Sequence, residues 1–584
     1  KQIKYDGSYS TGAHTFRFGQ SYNHIEEAGF ASFFGNAGRV RASYTAASRA
    51  FANANGGEGD PLNFQLNQIF LGNGLGYASE KPALGFPFGG FINHRFGTYF
   101  QDTWRWRPNV TVTLGLRYDF DSGIANSDLP RSPSLALFSP DLAGTPKNDA
   151  NNFGPSAGIA WDIKGDGKNV IRAGAGIYYE SNIFNNLFFD RALNLPPGLG
   201  NDTPSLTSGA PRLFHPSTGD CLFNAANFRA TPGQCDTPGG VNLFSQTLRN
   251  AIPAVQLMQS TLQSISAGLA ANFPTPGVDP LFEQLLDTGG SLLSNNYTRP
   301  YSFMFNVGFQ RELRSGLVLT LDYVHNRGVH FNQVVDRNRI GAADTLDVNI
   351  ARDAIAATND AFGCGASFTQ AAITCAINEG ATITDYADHG LGAGSALDGF
   401  AFRVNNPNFR TMGIIEPIGL SRYQGLTTSL RGRLLRNWGV IRDLTGTVSY
   451  ALSRFKSTGG DQEFISASGF NDRPTEFYGP AALDRTHQLS FGLFTELPWG
   501  IKVNPVTRLA SPLAQSAFVD CHDCGAAEIF MSDFDGDGVN EDPLPGITPR
   551  GAYMRQISGP QELNQFISSF NTRVEAGELT PAGQ

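Results

Sequence analysis

Apolar and polar residues alternate one by one along several stretches of about ten residues. In Val110–Phe120, Val110, Val112, Leu114, Leu116, Tyr118 and Phe120 fall on one side, and Thr111, Thr113, Gly115, Arg117 and Asp119 on the other. A period of 2 puts these sets on opposite faces of a sheet. The same alternation runs through Val170–Glu180, Tyr301–Arg311, Leu317–Tyr323, Leu444–Ser453 and Leu489–Leu497. Such runs are longer than most soluble strands and match the length of a tilted strand crossing a bilayer. About 12 strands are predicted, the first two near Tyr5 and Phe16.

The connections have a rhythm of their own. Short turns are predicted at Arg107–Asn109, Lys164–Asn169, Leu313–Gly316, Leu435–Asp443 and Pro498–Gly500. Long connections are predicted at Asp121–Phe153, Ser181–Pro300, Val329–Arg422 and Phe455–Arg485. Short and long alternate, so the long ones gather at one end of the sheet, as in outer-membrane barrels. The expected fold class is therefore all-β, an antiparallel transmembrane β-barrel with long extracellular loops. One loop is expected to be partly helical, with helical spacing around Ala251–Leu269 and Leu281–Leu293. No repeat beyond the hairpin rhythm is visible, which disfavours a propeller or solenoid.

Composition sharpens this picture. No run approaches the roughly 18 apolar residues of a membrane helix. A closed barrel still satisfies its backbone in lipid with apolar residues at every other position. Charged residues make up 16% of the chain against a usual share of about 25%, while glycine reaches 67 and phenylalanine 45. A net charge of −9 weighs against a nucleic-acid partner. Aromatic rings gather near strand ends at Trp104, Trp106, Tyr118, Phe120, Trp161, Tyr178, Tyr179, Tyr301 and Tyr323, where a headgroup region would lie.

The six cysteines fall into three close pairs within predicted loops, Cys221 with Cys235, Cys364 with Cys375 and Cys521 with Cys524. This favours disulfides formed in an oxidising compartment. Cys521-His522-Asp523-Cys524 has no second ligand pair nearby, so a local disulfide fits it better than zinc.

The run FGTYFQDTWRWRPNVTVTLGLRYDF (Phe96–Phe120) resembles a barrel hairpin of TonB-dependent receptors. So do NNFGPSAGIAWDIKGDGKNVIRAGAGIYYE (Asn151–Glu180), Arg299–Gly328, YQGLTTSLRGR (Tyr423–Arg433) and LDRTHQLSFGLFTELPWG (Leu483–Gly500). The ordered set resembles the Oar-like branch of these Gram-negative receptors. The resemblance implies a 22-stranded barrel closed by an N-terminal plug. It also implies energy supplied by the TonB complex through an N-terminal box. On that comparison residues 1–584 read as a barrel region truncated at both ends, without plug or signal peptide.

Candidate chemistry is sparse. Asp533, Asp535, Asp537, Asn540 and Asp542 crowd oxygen ligands around Gly538, as in a calcium loop. The twelfth position is Leu544 instead of a bidentate glutamate, so this is no EF-hand, and a solvated acidic turn fits equally well. Ala173–Ile177 lacks the third glycine of a dinucleotide loop and runs on as a strand. No Gly-x-Ser-x-Gly or His-Glu-x-x-His motif occurs, and the chain reads as non-enzymatic. Arg117, Arg172, Arg431 and Arg433 fall on polar faces and are candidates to line the barrel lumen, touching a plug or wet substrate or merely solvating the wall.

The expected function is TonB-dependent uptake across the cell outer membrane. The expected partners are outer-membrane lipid, the TonB complex and an extracellular substrate. The alternative is a non-transporting surface barrel, an adhesin or structural protein that binds partners through its loops. The acidic loop carries the first test. Calorimetry on the full-length protein is expected to show weak, millimolar-range calcium binding that disappears in Asp533→Ala/Asp535→Ala/Asp537→Ala. Equal heats from both proteins would leave only a solvated turn.

Overall fold

The computed structural model describes residues 1–27, 38–72, 91–123, 125–127, 129, 131, 133–181, 186–187, 190, 194, 204–209, 211–215, 218, 220–271, 291–338, 346–392, 400–402, 412–459, 474–475, 478–514 and 559–576. The alternating stretches form long strands: β1 (Gln2–Thr11), β2 (His14–Glu27), β3 (Phe91–Arg107), β4 (Val110–Asp121), β5 (Phe153–Asp162) and β6 (Asn169–Tyr179). They continue as β7 (Tyr301–Arg314), β8 (Leu317–Asp336), β9 (Gly413–Trp438), β10 (Ile441–Ser457), β11 (His487–Glu496) and β12 (Val506–Ala510). With three short segments these make a 15-stranded sheet in which each of the long strands pairs antiparallel with the next in the chain. Among the described residues β1 and β12 are its two ends, and the sheet does not close on itself.

Glycine makes the tight turns feasible. Gly316 between β7 and β8 and Gly439 between β9 and β10 have φ of 74° and 56°, a left-handed conformation that costs a side chain energy and glycine none. The short connections lie at one end of the strands and the long ones at the other.

Register confirms the two faces. Phe96 lies opposite Phe120, Phe100 opposite Leu116 and Trp104 opposite Val112. Val112 in turn faces Ile159, and Trp161 faces Ile171. Directly opposed residues share a face, so these form one continuous apolar surface. It is uncovered, with Phe100 53% and Leu114 54% exposed. An apolar patch spanning many strands in water would promote aggregation, whereas lipid makes its exposure favourable.

Aromatic residues mark both borders of that surface. The protein's 5 tryptophans, Trp104, Trp106, Trp161, Trp438 and Trp499, all sit beside the short turns. Toward the long connections, rings pair across strands as Tyr22–Phe96, Tyr118–Phe153, Tyr179–Tyr301 and Phe305–Tyr323. Two aromatic girdles flanking an apolar band are what a barrel strand needs at the two interfaces of an outer membrane.

Where structure and sequence part, the cause is burial on both faces. β8 and β9 run into the connection expected at Val329–Arg422 and project beyond the aromatic girdle to Asp336 and Gly413. Ser291–Leu293, expected to end a helix, is instead a short strand parallel to Gly413–Ile415. Leu292, Leu293, Ile414 and Ile415 are all at most 2% exposed. A segment covered on both sides does not alternate, and periodicity then cannot tell strand from helix. The other expected helix is present as Leu248–Ala271. Helices Val348–Ala361, Gln370–Asn378 and Ile383–Asp388 were not expected and fill the connection after β8.

Leu114→Arg is expected to impair barrel assembly, because a cation at a lipid-facing midplane position costs about 2–4 kcal/mol. Thr113→Arg, on the opposite face, is expected to be tolerated. Heat-modifiable migration of the full-length protein on gels reads out both variants, and equal behaviour would refute the assignment of faces.

Candidate functional site

The polar face of β3–β6 holds a cavity of about 330 Å³ lined by Tyr99, Gln101, Arg117, Asp119, Ser156 and Tyr178. Alternation directs these side chains to one side, and glycines keep the floor low. A Cβ on Gly115 would come 2.7 Å from Ser156 Oγ, and one on Gly154 2.7 Å from the Ile177 carbonyl oxygen. Arg117 donates to both oxygens of Asp119, at 2.5 and 2.7 Å. The Tyr99 hydroxyl donates to Asp6 at 2.8 Å, and Lys4 pairs with Asp6 at 3.0 Å. The wall is therefore polar but largely charge-matched.

At the end of the strands nearest the long connections, the charges are buried. Asp121, fully buried, accepts from Arg95 at 2.7 Å and pairs with Arg299 at 3.2 Å. Arg299 is itself only 3% exposed. It donates to the Glu180 carbonyl at 2.9 Å, and its backbone N–H donates to Asp149 at 3.0 Å. Arg299, through its side chain and its backbone N–H, thus bolts the ends of two long connections to the top of β4. Asp190, also fully buried, accepts from Arg131 at 3.0 Å, Asn126 at 2.9 Å and the Leu293 N–H at 2.7 Å. Burial lowers the pKa of the Arg131 guanidinium, and the Asp190 charge opposes that shift. Nearby Tyr297 is so enclosed that its phenol is pushed up to about 12.

Apolar packing completes the assembly. Ala125, Leu187, Leu293, Tyr297, Val334 and Ile415 form one cluster that joins two long connections to the tops of β8 and β9. A larger core joins the connection after β2 to the one after β6, with Leu66, Ile69 and Leu71 packed on Leu213, Phe223 and Met258. Gln259 on helix Leu248–Ala271 accepts from the Gly72 N–H at 2.7 Å and donates to the Gly72 carbonyl. Disulfides Cys221–Cys235 and Cys364–Cys375 staple the two longest connections, closing loops separated by 14 and 11 residues. Cross-links of that span are worth about 3 kcal/mol.

The expected arginines do not converge. Arg117 lies on β4, Arg172 on β6, and Arg431 and Arg433 on β9. All four are exposed. Arg117 and Arg433 are paired, with Asp119 and with Asp443 at 2.8 Å. Arg172 and Arg431 make no ion pair with a carboxylate among the described residues. Cys521, Cys524 and the acidic run Asp533, Asp535, Asp537, Asn540 and Asp542 lie outside the described residues. Sequence reasoning did not find the buried pairs Arg131–Asp190 and Arg299–Asp121. Their partners lie far apart in the chain, and Arg131, Asp190 and Arg299 stand in segments without periodicity.

Asp190→Ala would leave Arg131 buried without its counter-ion, a change that costs about 3–5 kcal/mol. The expected outcome is faster protease cleavage within 122–152 and 180–300, with the heat-modifiable barrel retained. Unchanged cleavage would show that the pair does not hold the connections together.

Comparison with known proteins agrees with this architecture. A family model described as an outer membrane beta barrel domain matches residues 1–514. A search of curated proteins finds no match. Among solved structures, the chain is similar to the outer membrane transporter YddB from Escherichia coli, with 11% identity and a TM-score of 0.41, covering 90% of this chain and 43% of that one. It is also similar to the siderophore receptor PirA from Pseudomonas aeruginosa, with 10% identity and a TM-score of 0.28, covering 87% and 49%. A further likeness is to the FrpB iron transporter from Neisseria meningitidis, with 9% identity and a TM-score of 0.33, covering 88% and 42%. The chain thus spans less than half the length of each of these structures. With its alternating strands, girdles and matched residues 1–514, the chain belongs to the outer membrane β-barrel domain family and is a protein of the outer membrane.

Proposed function

We propose that this chain is the barrel region of a TonB-dependent uptake receptor of the Oar-like kind, which captures a substrate outside the cell and passes it along the polar face of the sheet. The observation that carries this reading is the ordered mouth. Buried arginine–carboxylate pairs, shared apolar cores and two disulfides hold the described parts of the long connections together at one end of the sheet. A binding surface organised in advance loses less conformational entropy on capture than free loops do.

In this reading the polar face lines the lumen. Arg172 and Arg431, exposed there, meet the plug or the moving substrate, while Arg117 and Arg433 stay with their own carboxylates. The plug, the TonB box and the energy they transmit belong to the proposal. So does calcium at Asp533–Asp542, as a stiffener of an outward loop. The substrate enters from outside, and the residues described carry no set that would transform it chemically.

The same ordered mouth would also serve a surface barrel that binds a partner and moves nothing. Dependence on TonB separates the two. The full-length receptor is expected to bind the periplasmic domain of TonB with a Kd on the order of micromolar by surface plasmon resonance. Deleting the N-terminal box is expected to abolish that binding. Absence of binding in the intact receptor would favour the adhesin reading.

A further inference from the structure

On the apolar face, just beyond the aromatic girdle, three strands present a row of cations. Register places Arg327 of β8 directly opposite Arg422 of β9, and Arg422 directly opposite Lys456 of β10. One step toward the membrane, Arg454 stands opposite Gln424. These positions share a face with Leu321, Tyr323, Leu426 and Leu452, so the row sits at the upper border of the apolar band.

Like charges directly opposite one another destabilise a strand pair, and Arg327 and Arg422 stand in that relation across β8 and β9. Arg327, Arg422 and Arg454 are exposed, and none makes an ion pair with a carboxylate among the described residues. Lys456 Nζ stands 5.8 Å from the centre of the Tyr478 ring, so an aromatic roof closes one side of the row. The row is also local. In the half of the sheet nearest the long connections, outward positions on β1–β7 carry no lysine or arginine. Cations scattered for solubility would not gather on three adjacent strands at a single depth.

We propose that this row binds the phosphorylated headgroup of an outer-leaflet lipid, its acyl chains lying along the leucines below. Several anionic oxygens on one headgroup can span cations one strand apart. Arginine forks match phosphate geometry in two-point contacts. The continuous apolar band beneath the row favours a lipid over a free anion, which would gain nothing from that neighbour. The proposal is independent of any transport function.

The test uses the purified full-length protein in detergent, with bisphosphorylated lipid A as the probe. Native mass spectrometry is expected to show retained lipid, and the thermal midpoint is expected to rise on its addition. In Arg327→Gln/Arg422→Gln/Arg454→Gln, folded by the heat-modifiability criterion, apparent affinity is expected to fall at least ~10-fold, since each lost charge-assisted contact weakens binding by a kcal/mol or more. Lys164→Gln/Lys168→Gln, at the short-turn end, is expected to bind as wild type. Where the triple variant does not assemble, Arg422→Gln at the centre of the row gives the same readout. Dephosphorylated lipid A is expected to be retained weakly. Equal retention of phosphorylated lipid by the wild type and the arginine variants would overturn the site. So would full stabilisation by inorganic phosphate alone, which would mark a free-anion site. Destabilisation of the lipid-free protein by the arginine variants, with no lipid bound to the wild type, would mean that the cations serve the protein's own carboxylates.

Discussion

An amide group in hydrocarbon has no water to bond to, and everything else in this molecule follows from that. Leaving one unpaired costs several kcal/mol, so a chain that crosses lipid as strands must pair each strand with neighbours on both sides. The long strands meet this demand by pairing each with the next in the chain. Pairing in sequence order requires only hairpins, and the register of each hairpin then fixes which side chains meet lipid. A slip of one residue anywhere would turn leucines inward and arginines outward. The matched rows Phe100–Leu116 and Val112–Ile159 show the register holding across successive hairpins.

Outside the membrane the constraint relaxes and other forces take over. The long connections are held by burial and by charge in a water-poor core. Asp121 and Asp190 each lie at 0% exposure; Asp121 is paired with Arg95 and Arg299, and Asp190 with Arg131 and with amide and backbone donors. Such pairs need not add net stability over apolar packing, but removing one partner is costly. They therefore specify one arrangement of the connections more than they strengthen it. That suits a surface whose function depends on its shape. The disulfides act in the same sense by restricting the unfolded connections.

The two faces of the sheet handle charge differently. On the polar side Lys4, Arg95, Arg117 and Arg433 meet carboxylates of the same or a neighbouring strand. On the apolar side, at the outer border of β8 and β9, Arg327 and Arg422 face each other, and neither makes an ion pair with a carboxylate among the described residues. The contrast follows from what lies opposite each face. The polar face can be matched by carboxylates of the protein itself, whereas the apolar face borders a medium whose own charges are available to it.

The strands, their faces, the short–long rhythm and the cysteine pairs Cys221–Cys235 and Cys364–Cys375 were legible in the sequence, because each rests on residues near one another in the chain. Leu114 and Arg117 could be assigned to opposite faces by counting alone. Helix Leu248–Ala271 was legible for the same reason. The overshooting ends of β8 and β9 and the strand at Ser291–Leu293 were not, since both of their faces are covered and the period vanishes. Only the tertiary structure could bring Arg299 to Asp121, Arg131 to Asp190 and Arg327 to Arg422. Parity shows that Arg327 points outward, but its neighbours are set by the register between strands whose intervening connection is long and aperiodic. Local sequence determines which way a side chain points, and the pairing of distant segments determines what it meets.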